Sequence, residues 1–97
     1  MNEGNRVTAP FFSLVHRAVP DDEPRSGKVA FIAGKRNGNA VWRNRAKRKL
    51  RAAWAQAVTS PTNSDVLLVA NRRTADVTSR EIAGLLGKKI EELGLLQ

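Results

Sequence analysis

The sequence predicts a small α+β domain, a mixed β-sheet packed against helices in the order β-β-α-β-α. Three observations predict it: two short strand-like segments near the front, a stretch from about Ala40 to Val58 with apolar residues at spacings of three and four, and an apolar run at 65–70 followed by a capped amphipathic helix. With 97 residues and 41% hydrophobic content, the chain suits one domain spanning 1–97. At that size a domain buries somewhat over ~60% of the surface its unfolded chain exposes, enough for one core.

The elements follow in order. Residues 1–8 read as a flexible lead. The segment "APFFSLVHRAV", 9–19, alternates Phe12, Leu14, His16 and Ala18 against Phe11, Ser13, Val15, Arg17 and Val19, which suits a strand with both faces partly covered. "PDDEPRSG", 20–27, with two prolines and one glycine, is a mobile loop. "KVAFIA", 28–33, is a second short strand, paired antiparallel with the first if the loop reverses the chain. "GKRNGNA" then breaks the strand and offers Asn37 or Asn39 as a helix cap. In the helix that follows, Trp42, Ala46, Leu50, Ala53, Trp54 and Ala57 make an apolar stripe. "SPTNS" ends it. "DVLLVA", 65–70, is nearly continuous in apolar residues and reads as a buried strand, in a parallel crossover beside its predecessor. Thr78 and Glu81 form a capping box before Ile82, Leu85, Leu86, Ile90 and Leu93, and Gly94 closes this last helix.

Charge narrows the function. Seventeen basic residues against nine acidic give a net charge of +8, and the isoelectric point is about 11.2. Such values suit a partner rich in phosphate or an anionic membrane. Cysteine is absent, which excludes a disulfide framework and thiolate chemistry and fits a reducing interior. No apolar run approaches a membrane span, and the start "MNEGNRVTAPFF" lacks a basic flank followed by a hydrophobic stretch. The chain is therefore expected to be soluble and cytoplasmic.

The field is local. No acid occurs from Pro24 to Ser64, and ten of the seventeen basic residues lie there. At about 100° per residue, Arg43, Lys47 and Arg51 form a ladder along one edge of the apolar stripe, Asn44 and Arg48 cross the back, and Arg45 with Lys49 return on the far side. Like charges four apart each destabilise a helix by a few tenths of a kcal/mol, so an ordinary solvated face would intersperse Glu. A lipid-lying helix would have to turn outward an alanine-rich face that carries the core. A phosphate polymer remains. The arginines offer planar two-donor forks, the lysines point charges, and Asn44 a donor and an acceptor. Such a helix suits a DNA major groove or the grooves of a folded RNA, and periodicity does not separate the two.

Nothing in the sequence assembles a catalytic centre. His16 has no nearby acid or serine in sequence and reads as structural. Asp21, Asp22 and Glu23 sit in a proline-containing loop, where adjacent acids are usually solvated rather than metal-ligating. Trp42 and Trp54 follow the core phase of the helix more than that of a base-stacking surface.

The segment "GNAVWRNRAKRKLRAAW", 38–54, resembles the signature of the bacterial ribonuclease P protein subunit: a Gly-Asn-Ala-Val lead, Arg-Asn-Arg, Lys-Arg, an apolar residue, Arg and an aromatic. "FFSLV" is similar to the family's first core strand, "KVAFIAGKR" to its strand and basic corner, and "DVLLVANR" to its buried last strand, so the resemblance runs over roughly residues 4–94. It implies the family's ribosomal-protein-type fold. It also implies RNA contacts for Arg43, Asn44, Arg45, Lys47, Arg48 and Arg51, extended by Lys35 and Arg36. The resemblance implies a groove between this helix and the sheet that receives the single-stranded 5′ leader of precursor tRNA, so that the exposed face of the first strand, with Ser13 and Val15, approaches the leader. Relatives commonly carry an aromatic near Val15, a stacking platform worth ~1–3 kcal/mol per base that this chain lacks.

Relatives also open with a basic segment and a phenylalanine-bearing helix that walls the groove. This sequence begins about where that helix ends, and "MNEGNRVTAP" does not replace it. The implied function is that of the protein subunit assisting 5′-leader removal by a catalytic RNA. Its partners would be that RNA and precursor tRNA, with no membrane and no required protein partner. Mg²⁺, held mainly by the RNA, would activate water, and no residue of the protein would be catalytic. The competing reading is a non-enzymatic RNA-binding module of ribosomal-protein type.

Overall fold

The computed structural model describes residues 4–96. Four strands, β1 (Asn5–Thr8), β2 (Phe12–Ala18), β3 (Val29–Ile32) and β4 (Ser64–Ala70), and two helices, α1 (Ala40–Ala57) and α2 (Ser79–Leu93), make the domain, with short 3-10 turns at Lys35–Asn37 and Thr74–Asp76. The sheet order is β1-β2-β4-β3. β2 runs antiparallel to both β1 and β4, and β3 runs parallel to β4 with α1 as the crossover. The α+β class and both helices agree with the sequence reading.

Both helices lie on one face of the sheet. From the sheet, Phe12, Leu14, Val66, Leu68 and Ala70 meet Ala46, Leu50 and Ala53 of α1 and Ile82, Leu86 and Ile90 of α2 in one buried cluster. Trp42, Trp54 and Ala57 pack on its margin, as the helical stripe requires. At the end of α2, Gly94 takes the left-handed conformation (φ 64°, ψ 40°), which glycine adopts without steric penalty. The Thr78 hydroxyl caps its start by accepting from the Glu81 amide at 3.1 Å.

Four expectations are corrected. The lead 1–8 is in part a strand: Asn5–Thr8 pairs with His16–Ser13, joined to β2 by a tight turn in which the Ala9 amide donates to the Phe12 carbonyl at 2.9 Å. Residues 1–3 of that lead lie outside the described residues. The predicted strand 9–19 accordingly shortens to Phe12–Ala18. The second predicted strand does run opposite to β2, but it pairs with β4 instead, because β4, the more apolar strand, takes the interior place between two partners. Finally, β4 is not buried throughout: Val66, Leu68 and Ala70 are buried and Asp65, Leu67 and Val69 half-buried, since helices cover one face only.

The 20–27 connection passes the start of β4, at residues 62–64, to reach the edge position. Gly27 donates its amide to the Thr62 carbonyl at 2.8 Å. It passes so close that a Cβ there would collide with the Ser64 carbonyl oxygen. Arg25 ties the loop down with paired donors to Asp65 at 2.8 and 2.9 Å.

Candidate nucleic-acid interface

α1 begins where the Asn39 side chain accepts from the Trp42 amide at 3.0 Å. Of the two sequence-level candidates, Asn39 is the cap. Gly38 precedes it because the Trp42 side chain lies against its backbone; a Cβ would come 2.7 Å from the Trp42 Cβ. The Gly-Asn pair thus seats the tryptophan and starts the helix. No acid occupies the first turn, although an acid there would favour the helix dipole. The helix is instead cationic from its first turn onward.

Contacts fix how the cations are presented. On one edge the Arg51 guanidinium stands 5.5 Å from the centroid of the Phe31 ring of β3. On the other, the Lys49 ammonium donates to the carbonyls of Ala75 and Val77 at 2.5 and 2.8 Å, and Gln56 donates to the Ser79 hydroxyl at 3.1 Å. Between these edges, Asn44, Arg45 and Arg48 stand exposed on the back, as do Lys35 and Arg36 just before the helix. Arg43 and Lys47 are half-buried at the sheet-side edge. The Nε of Arg43 is enclosed and has no hydrogen-bond partner among the described residues. A buried donor left unmatched is unfavourable by about 1–3 kcal/mol, and a phosphate oxygen would satisfy it.

Among the described residues no carboxylate pairs with any α1 cation. The acids that do pair serve elsewhere: Asp65 with Arg25 and Arg17, Glu23 with Arg25, and Glu92 with Lys89. Arg25 holds the Asp65 carboxyl well below the usual carboxylate range, chiefly through its side-chain donors and then through the Lys28 amide. The α1 field is therefore left uncancelled toward solvent.

Two further cations were missed at the sequence level. Arg72 and Arg73 leave the end of β4, the same end from which Lys35 and Arg36 leave β3, because β3 and β4 are parallel and Ile32 faces Val69. Their loop is rigidly built. Thr74, fully buried, donates to the Phe11 carbonyl at 2.6 Å and accepts from the Asn71 amide at 2.9 Å, while the Asn71 side chain donates to the Pro10 carbonyl at 3.1 Å. Arg73 then stands 5.2 Å from the Phe11 ring centroid. The signal was the Arg pair directly after the strand, but its neighbours become visible only with the strand order.

Ser13 and Val15 require a correction. The space between α1 and the sheet, where the groove was expected, is filled by the core, and both residues lie on the other face, away from the helices, with exposures of 7% and 8%. β2 is flanked there by Arg6 and Thr8 of β1 and by Leu67 and Val69 of β4, whose side chains close over it. Outward, that face presents exposed Arg6 and Thr8 beside half-buried Leu67 and Val69 and exposed Ile32, with a cleft of about 350 Å³ between Lys28–Ala30 and Asp65–Leu67. His16 is half-buried between Asn5 and Val66 with no acid or hydroxyl partner among the described residues. The described residues bring no group of three metal-ligating side chains together. No helix among them is long and apolar enough to cross a membrane.

Comparison with known proteins agrees with this geometry. The family model described as Ribonuclease P matches residues 1–94. A ribonuclease P protein component of Micrococcus luteus is 36% identical over 83 residues, covering 77% of this chain and 62% of that protein. One of Gluconacetobacter diazotrophicus is 30% identical over 96 residues, covering 97% of this chain and 81% of the relative. The chain thus spans about three-fifths of the length of the first and four-fifths of the second. In fold it is similar to the Staphylococcus aureus RNase P protein (TM-score 0.75, 20% identity, 99% of this chain and 86% of that one). The Thermotoga maritima RNase P protein is also similar (TM-score 0.69, 16% identity, 90% and 84%). With the Arg-Asn-Arg helix capped, seated and turned outward as described, the chain belongs to the ribonuclease P protein family.

Proposed function

We propose that this protein is the RNA-binding subunit of ribonuclease P, assisting removal of the 5′ leader from precursor tRNA by a catalytic RNA. One observation carries the reading: α1 holds six cations, packs its tryptophan-bearing side into the core, and meets no acid among the described residues. Arg43, Asn44, Arg45, Lys47, Arg48 and Arg51, with Lys35 and Arg36, bind phosphates and ribose edges of the RNA. Arg72 and Arg73 extend that surface across the end of the sheet.

The protein's part is electrostatic. Its cations reduce the repulsion between two RNA molecules brought together and hold the substrate in register. The reacting centre would belong to the RNA, and Mg²⁺ held there would supply the activation of water for phosphodiester hydrolysis. The leader lies along the sheet face away from the helices, meeting Ile32, Leu67 and Val69 there, with Ser13 and Val15 beneath them.

The test adds the protein to a bacterial ribonuclease P RNA and precursor tRNA at an Mg²⁺ concentration where the RNA alone is slow. Cleavage at the mature 5′ end should rise by at least an order of magnitude. Tight RNA binding with no rescue would replace this reading with that of a non-enzymatic RNA-binding module.

A further inference from the structure

We propose that Lys49, unlike the other cations of α1, is a positioning residue that sets the roll of the helix and so aligns its cationic face with the Arg72–Arg73 station. The proposal rests on the reading that this protein binds the catalytic RNA. It starts from the poverty of the α1 seat. The buried side chains of α1 are Ala46, Leu50 and Ala53, so Leu50 is the one large group among them. Alanines present little shape, so the midline of this seat does little to fix the roll of the helix, which is set at its margins, where Trp42 and Trp54 pack and where the edge contacts lie. Each 20° of roll would shift side-chain tips at ~6 Å from the axis by about 2 Å, enough to break a phosphate hydrogen bond.

The two edge contacts resist that motion. On the sheet side Arg51 leans on Phe31. On the other, Lys49 reaches two main-chain carbonyls at the exit of the Thr74–Asp76 turn, Ala75 at 2.5 Å and Val77 at 2.8 Å. Last carbonyls of a short helical turn lack partners within it, and an ammonium is the donor they take best. The same turn contains Thr74, whose hydroxyl bonds the Phe11 carbonyl and the Asn71 amide beside Arg73. A continuous chain of contacts therefore runs from α1 through Lys49 and the turn to the second cationic station.

The chemistry of the clamp suits a surface that meets RNA. The turn carries one acid, Asp76, which is exposed and forms no ion pair with Lys49 among the described residues; the ammonium takes the main-chain oxygens on either side of it instead. Carbonyl oxygens hold the ammonium with no net charge.

The experiment is a double-mutant cycle on affinity for bacterial ribonuclease P RNA at fixed salt. It compares the wild type, Arg73→Ala, Lys49→Met and the double variant, each confirmed folded by its melting curve. Arg73→Ala should weaken binding several-fold in the wild type and at least about threefold less in the K49M background, a coupling of the size seen between residues linked through packing. Additive losses would make Lys49 an independent phosphate contact and overturn the proposal. An affinity unchanged by Lys49→Met despite a lowered melting temperature would overturn it too, leaving a stability role. A control separates the premise: if replacing Arg43, Arg45 and Lys47 together with Ala also leaves RNA affinity unchanged, the RNA reading itself fails and this inference with it.

Discussion

Asp65 shows how one residue can organise a connection that sequence patterns leave open. Its carboxylate accepts both donors of Arg25 and the Lys28 amide at 2.9 Å, with Arg17 a further 3.6 Å away. Its pKa is depressed in the fold, so its stabilisation is fully present above the unfolded value of ~3.9 and is lost as pH falls from there toward the lower folded value. Asp65→Asn should therefore lower the melting temperature at pH 7, and the gap from the wild type should shrink as pH is taken below about 4 in thermal unfolding. A gap that persists unchanged would place the stabilisation elsewhere. Leu50, fully buried, makes the contrasting case: Leu50→Ala should destabilise by ~2–5 kcal/mol in denaturant titration, with salt-dependent RNA binding retained in the folded fraction. Leu50 was legible because a helical period places it against the core. Asp65 was not, because its partner lies forty positions away in the chain and only the fold brings them together.

At the scale of elements, the helices were readable and the strand order was not. Asn39, Thr78 and Gly94 mark helix ends through chemistry confined to a few neighbouring residues. Asn39→Ala should remove about 1 kcal/mol of stability and lower helicity at the front of α1, seen as faster amide exchange at Trp42 and Arg43. Strand pairing depends on partners far along the chain. β1, with the sequence Asn-Arg-Val-Thr, has too few apolar residues to announce itself and exists because β2 offers it an edge. β3 looked like the partner of β2, yet β4 lies between them. The same gap hid Arg72 and Arg73, whose nearness to Lys35 and Arg36 follows only from β3 and β4 being parallel neighbours.

At the scale of the whole molecule, the six cations of α1 with Lys35, Arg36, Arg72 and Arg73 make ten of the seventeen basic residues, while the acids that form ion pairs, Glu23, Asp65 and Glu92, do so away from α1. A cationic surface of this kind binds polyanions through counterion release, so affinity for RNA should fall steeply with salt. The central claim is that the back and sheet-side edge of α1 form that surface. The most direct test is the slope of log affinity against log salt concentration for bacterial ribonuclease P RNA, in the wild type and in the folded variant with Arg43, Arg45 and Lys47 replaced by Ala. The slope should flatten by roughly 0.7 to 0.9 for each phosphate the variant no longer neutralises; a slope identical to that of the wild type would contradict the placement of the interface on α1.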